Sequence, residues 1–398
     1  MSLNDTPRAN RLHIGIYGKR NVGKSSLVNA ITGQSIAVVS DVPGTTTDPV
    51  YKAMELHGIG PVVFIDTAGL DDTGTLGELR VAKTREASRK TDVALVVLTD
   101  PPDVEAEWVA DLSRRGVPVI AVINKADTLG DLEGLRAEIR SRLRLEPLVV
   151  SARTGAGVGT IREAIISELP DDEPVSITGA LAEPGDLVLL VMPQDIQAPK
   201  GRLILPQVQT LRDLLDKKCL VMSCTTDQLG PTLAVLVRPP KLIITDSQVF
   251  ATVHAMKPPE SLLTSFSVLF ASYKGDIQAF VDGAEGIGRL TSESRVLIAE
   301  SCTHAPLEED IGRVKIPSLL RKRFGDTLQV DMLSGPGLIA DIGSYDLVIH
   351  CGGCMFNRRH VLSRIDEAQT LGVPITNYGI TIAYLSGILD KISIPGLR

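Results

Sequence analysis

The sequence predicts an α/β protein built from several alternating strand–helix blocks, on three observations. Short apolar runs of strand length alternate with segments of helical period from residue 13 to residue 376, the order that builds mainly parallel sheets. The first apolar run opens directly into a glycine-containing turn and then a helical segment. The 398 residues also exceed one domain, since about 150 residues per domain gives two or three. Hydrophobic residues at 43% and charged residues at 22% exclude a disordered chain. The formal charge of 41 − 48 = −7 argues against a chain that works by gripping phosphate backbones, so no nucleic-acid partner is expected. Five cysteines (Cys219, Cys224, Cys302, Cys351 and Cys354) are too few and too odd in number for a disulfide framework. Met1 to Arg11 is polar and lacks the apolar core of a signal peptide, which predicts a cytoplasmic protein. Thr370 to Leu389 carries no charge, but Pro374, Asn377 and three glycines make it read as a strand, a turn and a buried helix, so no membrane is expected.

The first block, residues 1–172, carries four loops with a common purpose. His13 to Tyr17 is a strand leading into Gly18-Lys19-Arg20-Asn21-Val22-Gly23-Lys24-Ser25, and Ser26 to Thr32 is helical. Strand, glycine loop and helix form a P-loop, in which successive N–H groups and the helix N-terminus face a phosphate. Gly18, Asn21, Val22, Gly23 and Ser26 shape the cradle, Lys24 reaches the β- and γ-phosphates, and Ser25 ligates magnesium. Val62 to Ile65 is a buried strand entering Asp66-Thr67-Ala68-Gly69. Asp66 is placed to hold the magnesium shell, and the Gly69 N–H to meet the γ-phosphate. Val117 to Ile123 ends in Asn124-Lys125-Ala126-Asp127, where a carboxylate can accept from both N1–H and the 2-amino group of guanine. Leu148 to Val150 leads into Ser151-Ala152-Arg153, whose backbone can contact the guanine oxygen. Together these specify a GTPase binding GTP or GDP with Mg2+.

These motifs resemble the TrmE–Era branch of translation-factor-like GTPases over about the first 170 residues. By that resemblance, Thr46 in Pro43-Gly44-Thr45-Thr46-Thr47-Asp48 is the magnesium-sensing threonine, with Thr45 as the other choice. The position after Asp-x-x-Gly, where Ras-like enzymes orient the attacking water with glutamine, is Leu70. The resemblance supplies two substitutes. Asn21 matches the asparagine that helps hold an activating K+ beside the phosphates, and Glu78, 12 residues after Asp66, stands at the spacing of a water-positioning glutamate. A solvated switch residue is the plainer reading of Glu78.

Asp171-Asp172-Glu173-Pro174 reads as a linker. Residues 175–258 then read as a small α/β domain with strands at Asp186 to Met192, Cys219 to Ser223 and Leu242 to Thr245, and with no convergent catalytic or ligand set. Cys219 and Cys224 flank one short strand and read as core residues. A small siteless domain with apolar strands suggests an assembly surface, hence a homodimer.

Residues 259–398 carry the second chemistry. Ser261 to Phe270 has helical period; Arg295 to Ala299 is a strand leading to Cys302-Thr303-His304, and Asp346 to Ile349 a strand leading to His350-Cys351-Gly352-Gly353-Cys354. Ligands collect at the carboxyl ends of strands in such sheets. A Cys3His zinc site and a redox C-x-x-C remain open readings, although the latter leaves Cys302 and the histidines without a role. A 4Fe–4S cluster on Cys302, Cys351 and Cys354 fits best, its fourth iron held by His304, His350, water, Glu308 or Glu309. The spacing Cys302-x-His304, 45 residues, His350-Cys351-x-x-Cys354 resembles the FeFe-hydrogenase maturation GTPase family HydF, as does the order of the three domains. That resemblance implies a P-loop GTPase domain, an α/β dimerisation domain and an α/β cluster-binding domain. It further implies a scaffold that receives a transient di-iron precursor from radical-SAM maturases and delivers it to apo-hydrogenase. The alternative is a TrmE/Era-like GTPase of tRNA modification or ribosome assembly with a structural metal site.

Overall fold

A computed structural model of the chain describes residues 10–33, 49–56, 58–71, 74–169, 176–193, 203–300, 311–335, 341–353 and 356–397. The chain divides into two compact units, Met1–Asp172 and Glu173–Arg398. The loop carrying Thr45 and Thr46, the acidic stretch 171–174, and Cys302, His304, Glu308, Glu309 and Cys354 lie outside the described residues.

The first unit contains strands β1 (Leu12–Tyr17), β2 (Val50–Leu56), β3 (Gly60–Asp66), β4 (Val93–Leu98), β5 (Val119–Ile123) and β6 (Leu148–Val149). Their order is β2-β3-β1-β4-β5-β6, parallel throughout except that β2 runs antiparallel to β3. β4 is buried at all six positions, as its unbroken apolar sequence Val-Ala-Leu-Val-Val-Leu requires of a central parallel strand covered on both faces. From β1 the chain builds outward to β3 and then to β4 on the other side, so a crevice opens where the P-loop leaves β1.

The second unit holds two four-stranded parallel sheets. One contains β7 (Leu187–Val191), β8 (Leu220–Cys224), β9 (Leu242–Thr245) and β10 (Leu262–Ser265) in the order β10-β9-β7-β8. The other contains β11 (Arg295–Glu300), β12 (Gln329–Ser334), β13 (Leu347–His350) and β14 (Ile375–Asn377) in the order β12-β11-β13-β14. The winding is the same in both. A single hydrophobic core contains Leu189, Val191, Ile243 and Leu263 of one sheet and Val296, Ile298 and Val348 of the other.

β10 pairs with β9, and the helix Phe266–Lys274 follows it, so the segment Ser261 to Phe270 is a strand and a helix start instead of one helix. A short apolar run is ambiguous by periodicity, and the deciding residue is Ser265, whose side chain accepts from Val268 N at 3.2 Å and caps the helix there. Cys219 is buried with its thiol donating to Glu183 O at 3.3 Å, and Cys224 packs against the shared core. Burial raises the pKa of both thiols. Residues 370–389 contain β14 and the helix Tyr378–Leu385, and no helix among the described residues is long and apolar enough to cross a membrane.

Close packing fixes the third sheet from its flank. A Cβ added at Gly283, on the helix Ile277–Ala284, would stand 1.9 Å from Ile375 O in β14. Gly283→Ala should therefore destabilise the second unit by about 1–3 kcal/mol, measured as a lower urea midpoint; an unchanged midpoint would mean that the helix can shift aside.

Candidate functional site

The P-loop is shaped by backbone that only particular residues tolerate. Gly18 has φ 141° and lies so close to β4 that a Cβ would meet Val97 O at 2.3 Å; Gly23 has φ 91° and faces Asn124. Asn21, exposed at the loop's outer turn, adopts φ 61°, a left-handed conformation that asparagine accepts better than most side chains. Lys24 is buried, and its ammonium donates to Gly18 O at 2.9 Å and Lys19 O at 2.8 Å, so the charge is stored inside the loop that would receive a phosphate.

Two of the expected magnesium residues meet directly: Ser25 Oγ donates to Asp66 Oδ2 at 2.6 Å. Asp66 is 4% exposed, and its Oδ1 is a buried oxygen without a hydrogen-bond partner among the described residues. Burial raises its pKa, opposed by the Ser25 hydroxyl and the charge of Lys24. A hydroxyl and an under-satisfied buried carboxylate, side by side at the phosphate end of the crevice, fit a hard divalent cation.

Behind Asp66, Leu70 is 5% exposed and packs with Tyr17, Ala94 and Val96, while its N–H donates to Gly18 O at 3.2 Å. The position that carries a water-orienting side chain in Ras-like enzymes is thus part of the core. Gly69 stands against the P-loop, where a Cβ would meet Arg20 Cγ at 2.3 Å. Asp71 accepts from Arg20 N at 2.8 Å and ties this segment to the same loop, a contact that the sequence motifs did not indicate. Glu78 is exposed on the helix Gly74–Ser88.

The base-recognition loops are joined by one buried amide. Asn124 is 1% exposed; its Nδ2 donates to Val22 O at 2.9 Å in the P-loop, and its Oδ1 accepts from Ala152 N at 3.0 Å. Ser151 Oγ donates to Asp127 Oδ1 at 2.6 Å, and Arg153 pairs with the other carboxylate oxygen. These contacts hold the Asp127 pKa below its ordinary value, the Ser151 hydrogen bond first and the Arg153 charge after it. Asp127 is therefore an ionised acceptor at neutral pH, as guanine's adjacent donors require. Lys125, with φ 59°, is exposed beside it.

In the second unit β13 ends at His350, and Cys351 follows, buried, its N–H donating to Ala299 O at 3.0 Å. β11 and β13 are the adjacent strands from which the third sheet winds in opposite directions. Cys302 comes two residues after the end of β11 in sequence, outside the described residues. Gly353 has φ 61°. His350 is buried, with Nδ1 donating to Cys351 O at 2.6 Å and Nε2 accepting from the Arg364 guanidinium at 3.2 Å. Burial, then the Arg364 charge, lowers its pKa to about 3, so the ring is neutral at physiological pH. Both ring nitrogens are engaged within the protein. Among the described residues no group of three or more His, Cys, Asp and Glu could hold a metal ion.

The clasp at Asn124 gives a direct test. Asn124→Ala leaves Val22 O and Ala152 N without that partner and should cost about 1–3 kcal/mol of stability, together with a loss of GDP affinity measured by calorimetry. Unchanged affinity would show that the two loops hold their places unaided.

Comparison with known proteins places these features. Residues 13–125 match the family model described as 50S ribosome-binding GTPase. Residues 177–275 match the hydrogen maturase F dimerization domain, and residues 278–394 the hydrogen maturase F tetramerization domain. Among curated relatives, the tRNA modification GTPase MnmE of Paraburkholderia xenovorans is 38% identical over 158 residues, 39% of this chain and 34% of that protein. GTPase Der of Wolinella succinogenes is 39% identical over 166 residues, 39% of this chain and 35% of that protein. The chain thus spans about a third of the length of the curated relatives it matches. Among solved structures, a variant of Aquifex aeolicus Era bound to GDP.AlF4- is 20% identical, covering 63% of this chain and 99% of that one with a TM-score of 0.36. With both maturase F models lying in sequence behind a P-loop GTPase domain, the chain belongs to the HydF family of hydrogen maturases.

Proposed function

We propose that this chain hydrolyses GTP to GDP and phosphate, and that it serves as a scaffold or carrier for the di-iron precursor of the FeFe-hydrogenase active site. What supports this reading is the joining, in one HydF-family chain, of a P-loop crevice to a sheet whose adjacent strands β11 and β13 are each followed in sequence by a cysteine motif. In the first crevice the residues have distinct tasks. Lys24 leaves its two carbonyls to meet the β- and γ-phosphates, Ser25 and Asp66 hold Mg2+ with Thr46, and the Gly69 N–H meets the γ-phosphate. Leu70 is in the core, so we assign water positioning to Glu78 and phosphate charge compensation to K+ held with Asn21.

For the second crevice we propose a 4Fe–4S cluster on Cys302, Cys351 and Cys354, which when bound supplies an iron open to exchange. A buried cysteine at a strand end, followed by glycines that let the backbone approach sulfur, suits this group. His304, His350, Glu308, Glu309 or water is proposed for the fourth position; the ring nitrogens of His350 meet Cys351 O and Arg364. The proposed partners are radical-SAM maturases and apo-hydrogenase. A second copy of the chain is proposed to cover β8, the outer strand of its sheet, where Leu220 is 57% and Met222 37% exposed. An RNA-directed role like that of the tRNA modification GTPases has less support, because the alignments to them cover 39% of the chain.

Lys24→Ala should abolish phosphate release from GTP. Asp127→Asn should shift selectivity from guanine toward xanthine nucleotides by at least about tenfold, since the acceptor pair becomes one donor and one acceptor. Replacing K+ by Na+ should slow turnover in the wild type and make no difference in Asn21→Ala; equal wild-type rates in the two salts would remove the cation from the mechanism.

A further inference from the structure

The carboxylate assigned to base recognition has a different partner on each oxygen. Asp127 Oδ1 accepts from Ser151 Oγ at 2.6 Å, and Oδ2 is paired with the Arg153 guanidinium. These partners are held in place very differently. Ser151 is 1% exposed, and its Oγ accepts from Thr154 N at 3.2 Å, so the hydroxyl is aimed by the turn to which it belongs. The Arg153 side chain, in contrast, is 73% exposed, against 16% for that of Asp127.

The main chain around the arginine is closed on itself. Ser151 N donates to Ala156 O at 2.9 Å and Gly155 N to Ser151 O at 2.9 Å, while Ala152 N is held by Asn124 Oδ1 at 3.0 Å. Uncovering the carboxylate therefore takes only the rotation of one long exposed side chain, with the loop left where it is.

A guanidinium and the edge of guanine offer a carboxylate the same thing, adjacent N–H donors on a planar group. Buried Ser151 closes one side of Asp127, so a base has to approach from the solvent side, which the arginine covers. Two sets of N–H donors cannot share that side, because their bulk and their positive hydrogens oppose each other. We propose that Arg153 competes with guanine for Asp127, the two excluding each other at Oδ2, so that the arginine must swing out before a base can enter. The proposal rests on the reading of Asp127 as the guanine acceptor. Binding is then limited by the fraction of molecules whose carboxylate is uncovered, which reduces the rate of entry and leaves the rate of departure alone.

The test is stopped-flow binding of a ribose-labelled fluorescent GDP, with Mg2+, to the full-length protein, which separates association from release. Arg153→Ala should raise the association rate constant about two- to fivefold, the range that an exposed arginine–carboxylate pair can hold back, with an unchanged release rate. Arg153→Gln, which keeps a long polar side chain without the ionic pair, should do the same. Loss of a positive charge near the seat by itself slows the encounter with an anionic nucleotide, so faster association has the opposite sign to that general effect. Association in both variants at or below the wild-type rate would overturn the proposal. Faster release would also overturn it, by making Arg153 a contact of the bound base. Failure of the underlying reading shows differently, as a wild type that binds ADP as tightly as GDP.

Discussion

Parallel strands deliver their connecting loops to one edge, and a sheet that winds both ways from a central strand leaves a crevice at that edge which nothing in the sheet can fill. Both proposed chemistries of this chain depend on that constraint. In the first unit the P-loop leaves β1 at the crevice and Asp66 ends the neighbouring β3, so Ser25 and Asp66 meet without any long-range device. In the second unit the adjacent strands β11 and β13 each end just before a cysteine segment. The winding is also that of the sheet formed by β7 to β10, whose loops carry no comparable set of ligating residues in the sequence.

The crevices handle charge in opposite ways. Around the P-loop the cation is stored: Lys24 is folded back onto two carbonyls of its own loop. Asn124 keeps the cradle and the base-recognition loop in register, so the site is organised before a nucleotide arrives. Around Cys351 the charge is built into the core. Lys274 and Arg364 come from different helices and are oriented by backbone carbonyls and an imidazole.

The loops of the first unit were legible in the sequence because each pairs a strand end with a residue type that chemistry demands there, and the strands they follow are unbroken apolar runs. Less was legible where local pattern is ambiguous. Ser261 to Phe270 has a helical spacing, yet Ser265 splits it into a strand and a capped helix, which moves β10 into the second sheet. The ring nitrogens of His350 meet Cys351 O and an arginine fourteen residues along the chain, contacts that motif spacing cannot express. Arg364 did leave a trace: it falls in the buried stripe Val361, Ile365, Ala368 of its helix, a charge at a core position. Lys274 has the same character, four residues after Phe270 in a helix that is otherwise apolar on its inner side.

The central claim is that the second crevice holds an iron–sulfur cluster on the cysteines of its two loops. The most direct measurement is the iron, sulfide and zinc content of full-length protein purified and reconstituted without oxygen, for the wild type and Cys351→Ala. About four iron and four sulfide per chain in the wild type, falling to background in the variant, is the predicted result. One zinc per chain with no acid-labile sulfide would contradict it.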